Sequence, residues 1–258
     1  MNDQQNIDIY QEVFNTIKDY NKGIVDTHIK KLKDLDAFLL PTQSFFILTN
    51  TINNTYEFIS KNFEQTLGLS IDKMMSEGVP YWFDHHHPKD LEIWLNILNE
   101  LMSFTMAEIP VEDRKKLSYT WNLRIKNAKG VYVNLHKHQT PIAFDESGKP
   151  IVGISHNTIT SENVELPIIA SIKMLNDNDE YETLFYKNYS QSLLTDGLSN
   201  REKDVLRLLA LNHTSKEIGE KLFISPHTVD GHRRKIIKKT GLNSTGEIIQ
   251  YCKSQQLF

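Results

Sequence analysis

The chain is 258 residues long, 39% hydrophobic and 24% charged, a balance that argues against disorder and leaves room for one large domain or two modest ones. No run comes near the roughly 18 apolar residues a membrane helix needs, and MNDQQNIDIY lacks the basic-then-apolar pattern of a signal peptide, so no membrane partner and a cytoplasmic location are expected. The formal net charge of −4 is unevenly shared: from Asp196 onward 11 Lys+Arg face 7 Asp+Glu, whereas the preceding 195 residues hold 18 against 26. An acidic body with a small basic end suggests two domains and a polyanion facing the second. Cys252, the sole cysteine, cannot form an internal disulfide. It shares a helical apolar face with Ile248 and Ile249, which suits a core residue better than a nucleophile.

Taken in order, residues 7–40 read as helical, with Ile9, Val13, Phe14 and Ile17 and then Ile29, Leu32 and Leu35 at helical spacing, ending at Leu40-Pro41. Residues 1–40 are therefore expected to form a helical flank that packs on a neighbouring sheet or pairs with its twin. SFFILT (44–49) and TYEFIS (55–60) are β-prone runs joined at Asn53-Asn54, a hairpin signal. A short helix over 62–70 breaks at Gly68, and a long one runs from Pro88 through Leu91, Trp94, Leu95, Leu98 and Leu101. Strands follow over 117–126, 131–144 and 151–160, with turns at 128–130 and 146–149. Two strands, short helices, a long helix and three strands resemble the element order of a PAS domain, here spanning 41–160. The phrases YEFISKNFEQTLGLS and HPKDLE resemble the strand-to-helix step of PAS folds and the His-Pro-x-Asp step before their long helix.

Asp84-His85-His86-His87 raises the question of a metal, but adjacent histidines cannot all turn to one ion without strain, and His87 reads as a helix-opening residue. His136, His138 and His156 read as surface histidines on strands. No metal and no cofactor are expected, with an unidentified ligand of the PAS pocket left open. A flavin photosensor that forms a cysteinyl adduct is excluded because the body has no cysteine. There is no Gly-rich phosphate loop, no Gly-x-Ser-x-Gly and no receiver-type acidic pair, so neither catalysis nor aspartate phosphorylation is expected. Trp82, Trp94 and Trp121 read as core. Residues 161–195 carry two β-prone runs around Asp177-Asn178-Asp179-Glu180 and are expected to form a connecting hairpin that is stiff.

The tail parses into four helices. Ser199-x-x-Glu202, Thr214-x-x-Glu217 and Ser244-x-x-Glu247 are capping boxes, Ser225-Pro226 is an N-cap with proline at the first helical position, and Gly241 suits a left-handed C-cap. The second helix should bury Ile218, Leu222 and Phe223, the third Val229, Ile236 and Ile237. The separation of these two helices is that of a helix-turn-helix, whose second helix enters the major groove of duplex DNA. Its outward face carries Asp230, Gly231, Arg234 and Lys238. Arg234 suits guanine O6 and N7, Asp230 a cytosine amino group, and Gly231 a close approach to base edges. Ser225, His227, Thr228 and Lys216 are placed for phosphate oxygens.

LSNREKDVLRLLALNHTSKEIGEKLFISPHTVDGHRRKIIKKTGLNSTGEII resembles the LuxR-type helix-turn-helix, through Leu198, Arg201, Glu202, Lys216, Glu217, Ile218, Ser225, Thr228, Val229, His232, Lys239 and Gly241. Two positions depart from the pattern. His213 stands where glycine is frequent, and Gly219 stands where alanine is usual, at a small cost in helix stability. The resemblance implies an α+β protein: a PAS-like antiparallel sheet with flanking helices, followed by an all-α four-helix LuxR-type helix-turn-helix domain over 196–258. It implies a transcriptional regulator, not an enzyme, acting as a homodimer on double-stranded DNA, with RNA polymerase as a candidate partner. The competing class is an adaptor that docks its helical tail on another regulator. A metal-dependent enzyme built on the histidine cluster is a more distant third.

Overall fold

The structure is a computed structural model that describes residues 3–13, 22–190 and 197–254. The chain divides into two compact units, residues 1–164 with 169–187 and residues 165–168 with 188–258. Among the described residues, no helix is long and apolar enough to cross a membrane.

The first unit is built on one antiparallel sheet of β1 (Ser44–Asn50), β2 (Thr55–Ile59), β3 (Leu117–Lys126), β4 (Tyr132–Phe144), β5 (Pro150–Glu162), β6 (Ile169–Leu175) and β7 (Tyr181–Asn188) in the order β2-β1-β5-β4-β3-β6-β7. Its helices are α1 (Asp3–Val13), α2 (Lys22–Phe38), α3 (Asn62–Leu67), α4 (Ile71–Glu77), α5 (Val79–Phe83) and α6 (Pro88–Glu108). The alternation of side chains along each strand sends Phe45, Ile47, Leu135, Trp121, Leu123 and Ile125 to one face, where they are buried. Phe45 meets Phe63 of α3 there, with ring centroids 5.2 Å apart. α2 buries Val25 and Leu32 with Leu48 and Phe58, and the neighbouring Phe46, Ile142 and Ile154 pack against them.

The expected hairpin is present but is no free connector. β6 pairs with β3 from Leu117↔Met174 to Trp121↔Ala170, so the sheet grows from five strands to seven. The reason is that β3 ends the five-strand sheet with open N–H and C=O groups, and β6 satisfies them. The flank over 1–40 also differs in detail. Phe14 and Ile17 lie outside the described residues. On α1, Tyr10 is buried against Phe83 and Trp94, at 5.7 and 5.8 Å between centroids, whereas Ile9 is only half-buried. On α2, Leu35 is exposed because only the Val25/Leu32 stripe faces the sheet.

HPKDLE acts as a helix-opening device. His87 is the N-cap of α6 and its Nδ1 accepts from the Lys89 N–H, while Pro88 fills the first helical position. Asp90 is 1% exposed and takes both guanidinium arms of Arg124, at 2.9 Å from Nε and 2.5 Å from Nη2, together with the Arg124 N–H at 2.9 Å. This bidentate pair locks the start of α6 to β3. The other two histidines point elsewhere: the His85 Nδ1 meets the Tyr81 carbonyl and the His86 Nδ1 the Trp82 carbonyl. Burial lowers the His86 pKa to about 4, so its imidazole is neutral. His136, His138 and His156 lie exposed on the opposite sheet face, His156 stacked on Phe46. Among the described residues, no group of three or more His, Cys, Asp or Glu side chains is placed to hold a metal ion.

Candidate nucleic-acid interface

The second unit carries α7 (Asn200–Ala210), α8 (Ser215–Leu222), α9 (Pro226–Thr240) and α10 (Thr245–Ser254) around Val205, Leu206, Leu209, Ile218, Val229, Ile236, Ile248 and Cys252. Each helix starts where short-range chemistry tells it to. The boxes Ser199/Glu202 and Thr214/Glu217 close in both directions. At the third, Glu247 donates its N–H to Ser244 Oγ, but its carboxylate reaches Asn243 and not Ser244, so the return bond falls one residue early. α7 ends in a Schellman turn: Asn212 takes φ 64°, its N–H reaches the Leu209 carbonyl and the His213 N–H the Leu208 carbonyl. Asparagine supplies the left-handed residue here, which is why histidine at 213 is tolerated.

The helix-turn-helix is the step from α8 to α9 through Phe223, Ile224 and Ser225. Phe223 occupies the left-handed C-cap at φ 55° and is 94% exposed, contrary to the expectation that it is buried with Ile218 and Leu222. Its backbone conformation, set by the turn, swings the ring out of the stripe that helical spacing assigns it. Gly219 matters at the same turn, because a Cβ there would stand 2.7 Å from the Ile224 carbonyl oxygen. The helix-propensity cost of glycine is thus set against a closer turn.

Several landmark residues prove to be internal struts. Arg201 donates to the Leu222 carbonyl at the end of α8. Lys239 donates to the Glu202 carboxylate at 2.7 Å and to the Gly197 carbonyl at 2.9 Å, tying α9 to the start of α7. Arg233, which sequence reasoning did not single out, links three helices. It donates to Ser215 Oγ at 2.7 Å, to Asp230 at 3.3 Å and to Thr245 Oγ1 at 2.9 Å. Its position among three consecutive cations hid that role.

The expected contact residues separate accordingly. Ser225 caps α9 by accepting from the Thr228 N–H at 3.0 Å, and its hydroxyl also meets Thr228 Oγ1 at 2.8 Å. Asp230 accepts from Ser215 Oγ at 2.7 Å, and that bond, followed by the Arg233 charge, holds its carboxyl below the usual range. Half of its surface stays open, but part of its acceptor capacity is already taken. Gly231 has open space where a Cβ would stand. His227, Arg234 and Lys238 are exposed and share one helical face with Gly231, while Lys216 is exposed in the first turn of α8. Lys235 is exposed as well, although it was not among the expected contacts. Among the described residues, Lys216, Arg234, Lys235 and Lys238 form no ion pair. The outer side of α9 therefore presents cations that form no ion pair beside the positive N-terminal end of the helix, an arrangement complementary to phosphate oxygens.

Residues 196–252 match the family described as bacterial regulatory proteins, luxR family, and residues 56–155 match the PAS fold. The Fimbriae Z protein of Salmonella typhimurium is 48% identical over 60 residues, which are 23% of this chain and 29% of that protein. The oxygen regulatory protein NreC of Staphylococcus aureus is 43% identical over 60 residues, 23% of this chain and 28% of that protein. The chain thus spans under a third of the length of the curated relatives it matches. The Vibrio cholerae VqmA dimer aligns over 88% of each chain at 16% identity and TM-score 0.33. The two family matches place a PAS-type fold over residues 56–155 and a luxR-type helix-turn-helix domain over residues 196–252 of one chain.

Proposed function

We propose that this protein is a sequence-specific DNA-binding transcriptional regulator that reads the major groove with α9, under the control of its PAS-type body. The observation that carries the reading is the division of labour on α9. Arg233 and Lys239 are consumed by internal bonds, whereas Arg234, Lys235 and Lys238 face outward and, among the described residues, form no ion pair. A domain stabilised by its other charges has no structural use for these three. In this reading Arg234 pairs with a guanine edge, Lys216 and Lys238 neutralise phosphates, and Ser225, His227 and Thr228 hold the backbone at the helix N-terminus. Asp230 serves chiefly to orient Arg233 and secondarily as an acceptor for a base amino group. A homodimer on an inverted repeat and contact with RNA polymerase belong to the same proposal.

Selection of bound sequences from a random duplex pool, at two salt concentrations, tests it. Recovery of an inverted repeat that is lost with Arg234→Ala supports a dimeric reader. Recovery of nothing above background by the full chain or by residues 188–258 overturns it. One feature favours the adaptor reading instead: Phe223, an exposed aromatic at the turn beside the cations. Loss of activity in Phe223→Ser with DNA affinity intact would assign that residue to a protein partner.

A further inference from the structure

Two small cavities meet inside the PAS-type body. One, of about 20 Å³, is lined by Thr49, Tyr56, Trp82, Trp94, Lys137 and Tyr10 among others. The other, of about 40 Å³, is lined mainly by Leu98, Leu101, Met102, Ile151 and Val152. Thr51, Leu98, Trp121 and Gln139 line both, so the two adjoin across those side chains and together offer a polar end and an aliphatic end.

The polar end is rich in hydrogen-bond donors that the protein leaves unused. The indole N–H groups of Trp94 and Trp121 and the hydroxyl of Thr49 are buried and have no hydrogen-bond partner in the protein. Indole N–H is a donor only, and leaving it unpaired inside a fold carries a penalty that a bound acceptor would remove. Lys137 lines the same end, with Nζ 5.3 Å from the centre of the Trp121 ring. It forms no ion pair among the described residues, and removal from water lowers its pKa to about 8. Tyr10 and Tyr56, buried in the same wall, are held as neutral phenols by that burial. His86, nearby, is neutral for the same reason, and among the described residues that line the two cavities there is no carboxylate to answer the ammonium group.

We propose that this space binds a short-chain aliphatic monocarboxylate. The carboxylate lies at Lys137 and the two indole N–H groups, and the alkyl tail lies between Leu98, Leu101, Met102 and Ile151. A carboxylate accepts from several donors at once and supplies the missing counter-charge, whereas an amide head brings a single acceptor oxygen and no charge and an ammonium head brings only donors. The aliphatic compartment admits only a few carbons, which sets the chain length. The site lies wholly within the sensor body and its occupancy is read without DNA, so it stands or falls separately from the DNA-binding proposal.

All three tryptophans of the chain, Trp82, Trp94 and Trp121, line the space, so intrinsic fluorescence of the full-length protein reports on it directly. Sodium butyrate is titrated at constant ionic strength against sodium chloride, butyramide and butylammonium. The expected result is a saturable emission change with butyrate, about ten- to a hundredfold weaker affinity for butyramide, and none for butylammonium. Affinity should rise about fourfold per CH₂ from acetate to butyrate. Lys137→Met should reduce butyrate affinity to that of butyramide, and Lys137→Arg should keep most of it. No saturable response to butyrate up to about 100 mM, or equal affinity for butyrate and butyramide in the unmodified protein, overturns the proposal. So does a folded Lys137→Met variant that binds butyrate undiminished.

Discussion

Glu202 offers a measurement in which both sign and size follow from the coordinates. Its carboxylate, 4% exposed, accepts at 2.7 Å from the Ser199 N–H and at 2.7 Å from Lys239 Nζ. The lysine bond first, and the serine N–H second, lower its pKa to about 2. A folded-state pKa below the unfolded value means that the stabilisation is complete above about pH 4.5 and is lost as pH falls through about 2. Taken at face value the shift is worth about 3 kcal/mol. The group lies in a thin shell of a small domain and Lys239 is 42% exposed, so solvent screening leaves about 1–2 kcal/mol. Glu202→Gln should remove that amount at neutral pH and flatten the acid dependence of the tail. The sole thiol, Cys252, is buried in the tail core and reports its opening, while the tryptophans report only the body. Labelling of Cys252 by a pyridyl disulfide, which reacts in acid as well as at neutral pH, should be roughly five- to thirtyfold faster in Glu202→Gln. Tryptophan emission should stay unchanged. An unaltered labelling rate at pH 7, or the same acceleration between pH 4.5 and 2 in variant and parent, would refute the reasoning.

Arg234→Ala should cost about 1–3 kcal/mol of specific affinity and relax preference at one base pair, whereas Lys238→Ala should weaken all sequences alike and reduce the salt slope by about one unit; competition binding with specific and random duplexes separates them. Asp90→Asn breaks the buried pair with Arg124 and should destabilise the body by about 3 kcal/mol, read as a lower urea midpoint of tryptophan emission with Cys252 labelling unaffected. Phe223→Gly relieves a left-handed non-glycine residue that makes almost no contact, and should stabilise the tail by about 1 kcal/mol, seen as slower Cys252 labelling.

Much of the helical tail is legible residue by residue because its rules act over three or four positions. The serine, threonine and glutamates of the two closed capping boxes, Pro226 at the start of α9 and Gly241 at φ 71° at its end take up their roles from neighbours along the chain. The His87-Pro88 step opens α6 for the same reason. Alternation along β3, β4 and β5 likewise assigns side chains to faces, since a pleated strand permits nothing else. What local rules leave open is which partner each face meets. Spacing places Phe223 on a buried stripe, but the turn dictated by Gly219 and Ile224 turns it outward.

Arg233 and Arg234 are adjacent and chemically identical in the sequence. Only the arrival of Ser215 and Thr245 from two other helices makes one a strut and leaves the other free. The same holds for Lys137, an ordinary polar residue on an alternating strand until β1, β3, α1, α5 and α6 close around it with no carboxylate among the side chains that line the cavity. The sequence by itself determined the order of elements, their ends and the family likeness of the tail, because those depend on neighbours along the chain. The tertiary structure alone decided which cations are spent, which donors are left unpaired and where β6 docks, because charge pairing and desolvation depend on groups that are distant in sequence and adjacent in space.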